Sequence, residues 1–303
     1  MYISKIKFNP LLYSNDIKNE YQKIMGKTCQ LDNPQCFTEK LQWLKLHDII
    51  PEKSRCSDKI LLRNYCEETL GKNLCPTIYQ IYNSPDLVIT DNLPKNSIIK
   101  CNHGSGMNIK CINGILTDEQ FKQLKYWYKT DFSNSFNNFE FHYRNINRKI
   151  FVEELLDIKY EYKFYCFNNS AKMCECIFFD NMEKSLYKNC ATYEKIWSRH
   201  DAIVDKKFRL IPNWQFDNPH ENYKEINYLK KYYKCCYTDH YNELLKYSEE
   251  LSKPFKFVRC DFYITNDNKT YLSELTFIPN AGYIKFKNKY TDLMIGKLLN
   301  VYN

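Results

Sequence analysis

The chain has 303 residues, 44% of them hydrophobic and 16% aromatic, which is enough apolar surface to offset the entropy of a multi-lobed fold and excludes a disordered chain. Its formal charge of +8 is spread along the sequence and not gathered in an arm, which argues against a nucleic-acid module and leaves anionic ligands such as nucleotides or acidic glycans. The fourteen Cys include no CxxC pair, so reduced thiols and no structural zinc are expected. The start, MYISKIKFNPLLYSND, lacks the apolar core of a signal peptide, and no run of 18 apolar residues occurs. A cytoplasmic location is expected, with no transmembrane segment and peripheral membrane attachment left open.

Residues from Asn9 to about Leu70 read as largely helical. In CFTEKLQWLKLHD, Phe37, Leu41, Leu44 and Asp48 recur at helical spacing, with Thr38 as N-cap. A further helix is expected over SDKILLRNYCEETLG, capped by Ser57, with Ile60, Leu61, Tyr65 and Leu70 as its apolar stripe and Gly71 as a left-handed stop. That puts Lys59 in the first turn, where a cation opposes the helix dipole unless an anion binds there. After a turn at Asn83 to Asp86, NSIIKCNHGSGMNIKCING reads as a hairpin with a glycine-containing tip. The helix TDEQFKQLKYWYKTDF begins with a capping box, Thr117 to Gln120. Strands follow over KIFVEELL, EYKFYCF and KMCECIFF, where Cys174 and Cys176 share one apolar face. The stretch from Asp180 to His220 reads as loops with uncertain strands, and a helix is expected from Asn222 through Lys253, broken near Cys235. The strands FKFVRCDFYIT and TYLSELTF are joined by a turn at Asn266 to Asn268.

Four constellations carry possible chemistry. In KCNHGSG, Lys100 ends a strand and is followed by small residues whose N–H groups can approach phosphate oxygens, although an ordinary hairpin turn has the same sequence appearance. His103 alone reads as structural. On the C-terminal strands, alternation puts Arg259 and Asp261 on one face, with Glu274 on the next strand. Two carboxylates across one ladder repel unless a cation such as Mg²⁺ lies between them; a surface pair balanced by Arg259 is the alternative. Glu153 and Glu154 end one strand, and Glu161 and Lys163 share a face of another.

In order, FTEKLQWLKLHD, SDKILLRNY, IIKCNHGSG, VEELL, EYKFYCFN, FVRCDFY and SELTFIPNAG resemble the TupA-like branch of the ATP-grasp superfamily, which is named for teichuronopeptide biosynthesis. The resemblance runs from about Phe37 to Gly282. It implies an α+β ATP-grasp fold, two α+β lobes clasping ATP after a helical N-terminal region. The corresponding ranges are 1–95 for the mainly helical region, 96–156 for the small lobe with the glycine loop, and 157–303 for the C-terminal lobe with the metal-binding strands. By the same resemblance Lys59 and Lys100 contact phosphates, while Gly104, Ser105 and Gly106, with His103, cover them. Glu153 or Glu154 holds adenosine, and Asp261 and Glu274 hold Mg²⁺; Glu161 and Lys163, two apart on one strand face, either pair with each other or project into the same cleft as further cofactor-binding residues. Thr276 stands where many ATP-grasp enzymes have a third metal ligand, Asn, with Asn280 further on. Arg259 matches the arginine that steadies an oxyanion, so Arg259 and Lys100 are the expected catalytic residues. The implied function is an ATP-dependent carboxylate–amine ligase working through an acyl phosphate in surface-polysaccharide or capsule biosynthesis, with ATP and Mg²⁺ as cofactors. A sugar or polyol phosphotransferase, a glycosyltransferase and a non-catalytic nucleotide-binding scaffold are the alternatives.

Overall fold

A computed structural model describes residues 8–180, 198–205, 240–286 and 290–302. Helices open the chain: α1 (Ser14–Met25), α2 (Phe37–His47), α3 (Pro51–Ser57) and α4 (Leu62–Leu70). Two local expectations change here. Cys36, not Thr38, precedes α2. Glu39 folds back to accept the Cys36 and Gln35 N–H groups, both at 3.0 Å, while the Thr38 hydroxyl donates to the Asp292 carboxylate at 2.6 Å. Ser57 ends α3 instead of starting α4. Pro51 nucleates that separate short helix, Asp58 leaves helical geometry at ψ 108, and its carboxylate accepts the Ile60 N–H at 2.9 Å. Lys59 therefore lies in the turn ahead of α4. The buried stripe of α4 is Leu62, Tyr65 and Cys66, and Leu61 is exposed. Gly71 ends the helix at φ +70 as expected.

The smaller sheet has the order β1-β4-β2-β3, built from β1 (Ile78–Tyr82), β2 (Ser97–Cys101), β3 (Asn108–Cys111) and β4 (Ile150–Glu154). β1 falls within the region expected to be mainly helical, yet it pairs with β4. β2 and β3 form the expected hairpin, and α5 (Asp118–Lys129), capped by Thr117 and Gln120, lays Leu124 against Ile99, Cys111 and Val152.

Over residues 155–157 the chain crosses to the larger sheet, β7-β6-β5-β8-β9. It contains β5 (Ile158–Phe167), β6 (Ser170–Asp180), β7 (Ser198–Asp205), β8 (Phe257–Thr265) and β9 (Thr270–Thr276), with antiparallel neighbours throughout. Asn168, Asn169 and Asn268 take left-handed φ in the two tight turns, a conformation the short amide side chain tolerates. Helix α6 (Tyr241–Ser252) covers one face of this sheet, burying Tyr241, Leu244 and Leu251 against Phe164, Cys260 and Phe262. The remainder of the expected helix from Asn222, and most of 181–239, lies outside the described residues. The short helix α7 (Thr291–Gly296) packs on α2, tied by Asp292 to Thr38. No helix among the described residues is long and apolar enough to cross a membrane.

Candidate active site

A cavity of about 560 Å³ opens between the two sheets. The smaller sheet, α4 and the turn ahead of α4 give it Lys59, Arg63, Lys100, Glu153 and Glu154; the larger sheet gives it Tyr263, Leu272 and Ser273, and residues 155–157 form the connecting wall. Glu153 is 4% exposed, and the alternation of β4 turns its carboxylate inward. It accepts from the Lys100 ammonium through Oε1 and from Arg63 Nη2 through Oε2 at 3.1 Å. Glu154, at the end of β4, accepts from the Thr77 N–H at 3.4 Å.

The hairpin tip stands beside the cavity. Asn102 anchors it by donating to Asn147 O at 2.9 Å and accepting from Lys149 N at 2.7 Å. A side chain at Gly104 would bring its Cβ within 2.8 Å of Met107 Sδ and Phe132 Cδ2, and Gly106 has φ +71, so both positions favour glycine. Ser105 is exposed between them. The Lys59 ammonium donates to Gly104 O, so it reaches from the cavity wall to the loop. Burial, with Lys100 nearby, lowers its pKa against the pull of Glu274. His103 Nε2 lies 3.2 Å from Trp127 O, Nδ1 is buried without a partner, and burial pushes the imidazole down to about 4, so the ring is neutral at pH 7. That geometry makes His103 a support of the loop.

A second group crosses the larger sheet. Glu175 on β6, Lys163 on β5, Asp261 on β8 and Glu274 on β9 are successive partners in register, a row of charge across four strands. Just after the Asp261–Glu274 pair the register slips, Phe262 facing Leu272 and Ser273 being left over, a bulge of the kind that re-aims side chains at sites. Arg259 forks onto Asp261, with Nε to Oδ1 at 2.7 Å and Nη2 to Oδ2 at 2.6 Å, and Nη2 also reaches Glu274 Oε1 and Thr276 Oγ1, both at 3.2 Å. Lys163 bridges Asp261, at 3.0 Å, and Glu161. Burial raises the Asp261 pKa, partly opposed by Arg259 and Lys163. Burial acts the same way on Glu274, but Arg259, Lys59 and Lys163 outweigh it and hold that carboxyl down at about 2.

The predicted site residues thus fall into two adjoining groups, and Asn280 joins neither. It is exposed in a left-handed turn ahead of Gly282, and Thr276 occupies the place beside Glu274, donating to Oε1 at 2.9 Å. Among the described residues no three His, Cys, Asp or Glu side chains converge on a common point. Sequence reading passed over Arg63, whose signal is its place four residues after Lys59, and Glu175, a buried acid in the otherwise apolar run CECIFF to which Tyr165 Oη donates at 3.3 Å.

A cavity between two antiparallel sheets, with cations along its smaller-sheet wall and a row of charge beside it on the larger sheet, is an arrangement consistent with the ATP-grasp fold. The chain belongs to the TupA-like ATPgrasp family, whose profile matches residues 39–210 and 220–300. No curated protein matches it. Similar solved structures include an L-amino acid ligase from Bacillus licheniformis, at 10% identity and TM-score 0.41, covering 81% of this chain and 49% of that one. The VanG D-Ala:D-Ser ligase from Enterococcus faecalis is 14% identical with TM-score 0.41, covering 80% and 57%. The ATP-grasp ligase PsnB with a precursor variant, Mg and ADP is 11% identical with TM-score 0.37, covering 75% and 52%. The chain spans about half the length of these structures.

Family membership implies ATP and Mg²⁺, and the residues present fit them. Both hydrogen bonds to Glu274 use Oε1, which leaves Oε2 lone pairs for a cation. Mg²⁺ is ordinarily held by one or two carboxylates with nucleotide phosphates supplying further oxygens, a donor set that does not need a third protein ligand.

Proposed function

We propose that the protein is an ATP-dependent carboxylate–amine ligase acting on a precursor of a cell-surface polysaccharide. The observation that carries this reading is the setting of Arg259, whose guanidinium is held by Asp261, Thr276 and Glu274, the last being the carboxylate that acts on Lys59 of the cavity wall. A buried arginine fixed on three partners has little to reorganise when negative charge grows next to it, which is the requirement for stabilising a tetrahedral oxyanion. Glu274 and Asp261 would hold Mg²⁺, which when bound with ATP neutralises charge on the transferring phosphoryl group. Lys59 and Lys100 would bind the phosphates, and the loop of Gly104, Ser105 and Gly106, steadied by His103, would close over them and exclude water. Glu154 and residues 155–157 would face adenosine, since the Glu153 carboxylate is already engaged by Lys100 and Arg63. Glu161, by holding Lys163, keeps that ammonium on Asp261.

The test is the fate of γ-labelled ATP incubated with a panel of uronic acids, amino acids and amines. The expected outcome is ADP with label in free phosphate, dependent on both a carboxylate and an amine. Label retained stably on a sugar or polyol hydroxyl would replace the ligase with a phosphotransferase. Consumption of a sugar nucleotide with ATP untouched would indicate a glycosyltransferase.

A further inference from the structure

Resting on the reading of the cavity as a nucleotide site, we propose that Arg63 is a positioning residue that takes over Glu153 when Lys100 turns to the phosphates. Glu153 is buried on β4 and has one oxygen on each of two cations, Oε1 on the Lys100 ammonium and Oε2 on Arg63 Nη2. Arg63 Nε is buried and has no hydrogen-bond partner. That is an unusual state for a guanidinium, because the Nε and Nη2 edge is the fork that matches both oxygens of a carboxylate. Lys100 occupies the oxygen that would complete the fork.

The two cations differ in how they can move. Lysine carries a compact charge on a flexible stem, so Lys100 can swing from Glu153 toward a polyphosphate, whereas Arg63 starts from the first turn of α4 and keeps its place by planar geometry. If Lys100 left a carboxylate that had no second cation, a buried charge would be bared, and the strength of the original pair would oppose nucleotide binding. The idle Nε removes that obstacle, since its N–H can donate to the vacated Oε1 while Nη2 stays on Oε2. Glu153 is then balanced in both states, by Lys100 and Arg63 together when the cavity is empty and by Arg63 alone when it is filled. The turn that carries Lys59 leads directly into α4, so one segment supplies both a phosphate cation and the counter-ion that releases the other.

The experiment compares binding of ATP and of adenosine, by calorimetry with Mg²⁺ present, in the full chain and in R63Q, R63K, E153Q and R63Q/E153Q, with thermal unfolding to establish that each variant folds. R63K keeps the charge but not the two-point fork, so it serves if R63Q fails to fold. R63Q and R63K should each lose about tenfold in ATP affinity, while adenosine affinity stays within about twofold. R63Q/E153Q should recover most of the loss, because without the carboxylate nothing holds Lys100 back. Equal losses for ATP and adenosine, or a loss that persists in the double variant, would overturn the role of Arg63 and leave the nucleotide site standing. Absence of ATP binding by the unmodified chain would overturn both.

Discussion

Two charged groups, one lining the cavity and one beside it on the larger sheet, are unbalanced in opposite senses. On the smaller sheet, Lys100 and Arg63 share Glu153, and Lys59 rests on a main-chain carbonyl, so cations outnumber the carboxylate they surround. On the larger sheet, Arg259 and Lys163 sit among Asp261, Glu274, Glu161 and Glu175, so carboxylates outnumber cations. Each group is unbalanced alone in a way that a polyanion and a divalent cation together would correct. The imbalance also differs in burial. Asp261 is 1% exposed and ringed by partners, whereas the Glu274 side chain is 34% exposed with one oxygen unclaimed. Asp261 is therefore tied into the framework of the sheet, and Glu274 is the carboxylate more available to a cation.

The largest effects should come from the acidic group. Both Asp261→Asn and Glu274→Gln should lower ATP-dependent turnover by more than the roughly 10–100-fold typical of losing an outer-shell partner of a metal. They should differ in stability. Asp261→Asn takes from Arg259 and Lys163 the carboxylate they share, leaving them Glu274 and Glu161, and should cost about 3 kcal/mol in urea unfolding, while Glu274→Gln, on a partly exposed side chain, should cost less, about 1 kcal/mol. Equal stability losses would erase the distinction between framework and ligand. Next, Arg259→Lys should reduce amide formation by about a hundredfold while changing ATP affinity little. A parallel loss of ATP binding would place Arg259 in nucleotide binding instead.

The cationic wall should respond more mildly. Lys100→Ala should weaken ATP by about tenfold with the fold retained, since Arg63 stays on Glu153; an unchanged affinity would remove Lys100 from the site. Smallest is the effect of His103. Its folded-state pKa is depressed from 6.5 to about 4, so the unfolded chain binds the extra proton first, and the stabilisation present above pH 6.5 is lost as pH falls toward 4. Comparing unfolding of the parent and His103→Gln across that window should show the parent losing more stability on acidification, by at most the order of 3 kcal/mol. His142 shares the direction of shift, pushed down to about 3 by burial, which is why the comparison is made against the variant.

Much of the site was legible because strand alternation and register are short-range rules. FVRCDFY and YLSELTF, joined by Asn266 to Asn268, had to bring Asp261 near Glu274, and they pair in register. The hairpin around Gly104 and the α5 capping box were readable for the same reason. Helix starts were less legible: Thr38 and Ser57 are suitable caps by type, but tertiary partners decided. Asp292, more than 250 residues away, claims the Thr38 hydroxyl, and Pro51 starts a helix that ends on Ser57. Arg63 was missed because its meaning depends on Glu153, ninety residues on and across a cleft, a distance at which pattern carries no information. Asn280 was named as the nearest Asn after Thr276, which stands where related enzymes have a metal-binding Asn, and a left-handed turn places it outside the acidic group.

The most direct test of the two charged groups is ATP affinity measured by calorimetry with excess Mg²⁺ and again with EDTA, in the parent and in Glu274→Gln. If the cationic wall binds phosphates and the acidic group binds them through the metal, the parent should bind ATP more tightly with Mg²⁺. Glu274→Gln should keep the EDTA affinity and lose most of the Mg²⁺ gain. A variant that keeps the full Mg²⁺ gain would contradict the assignment of the acidic group.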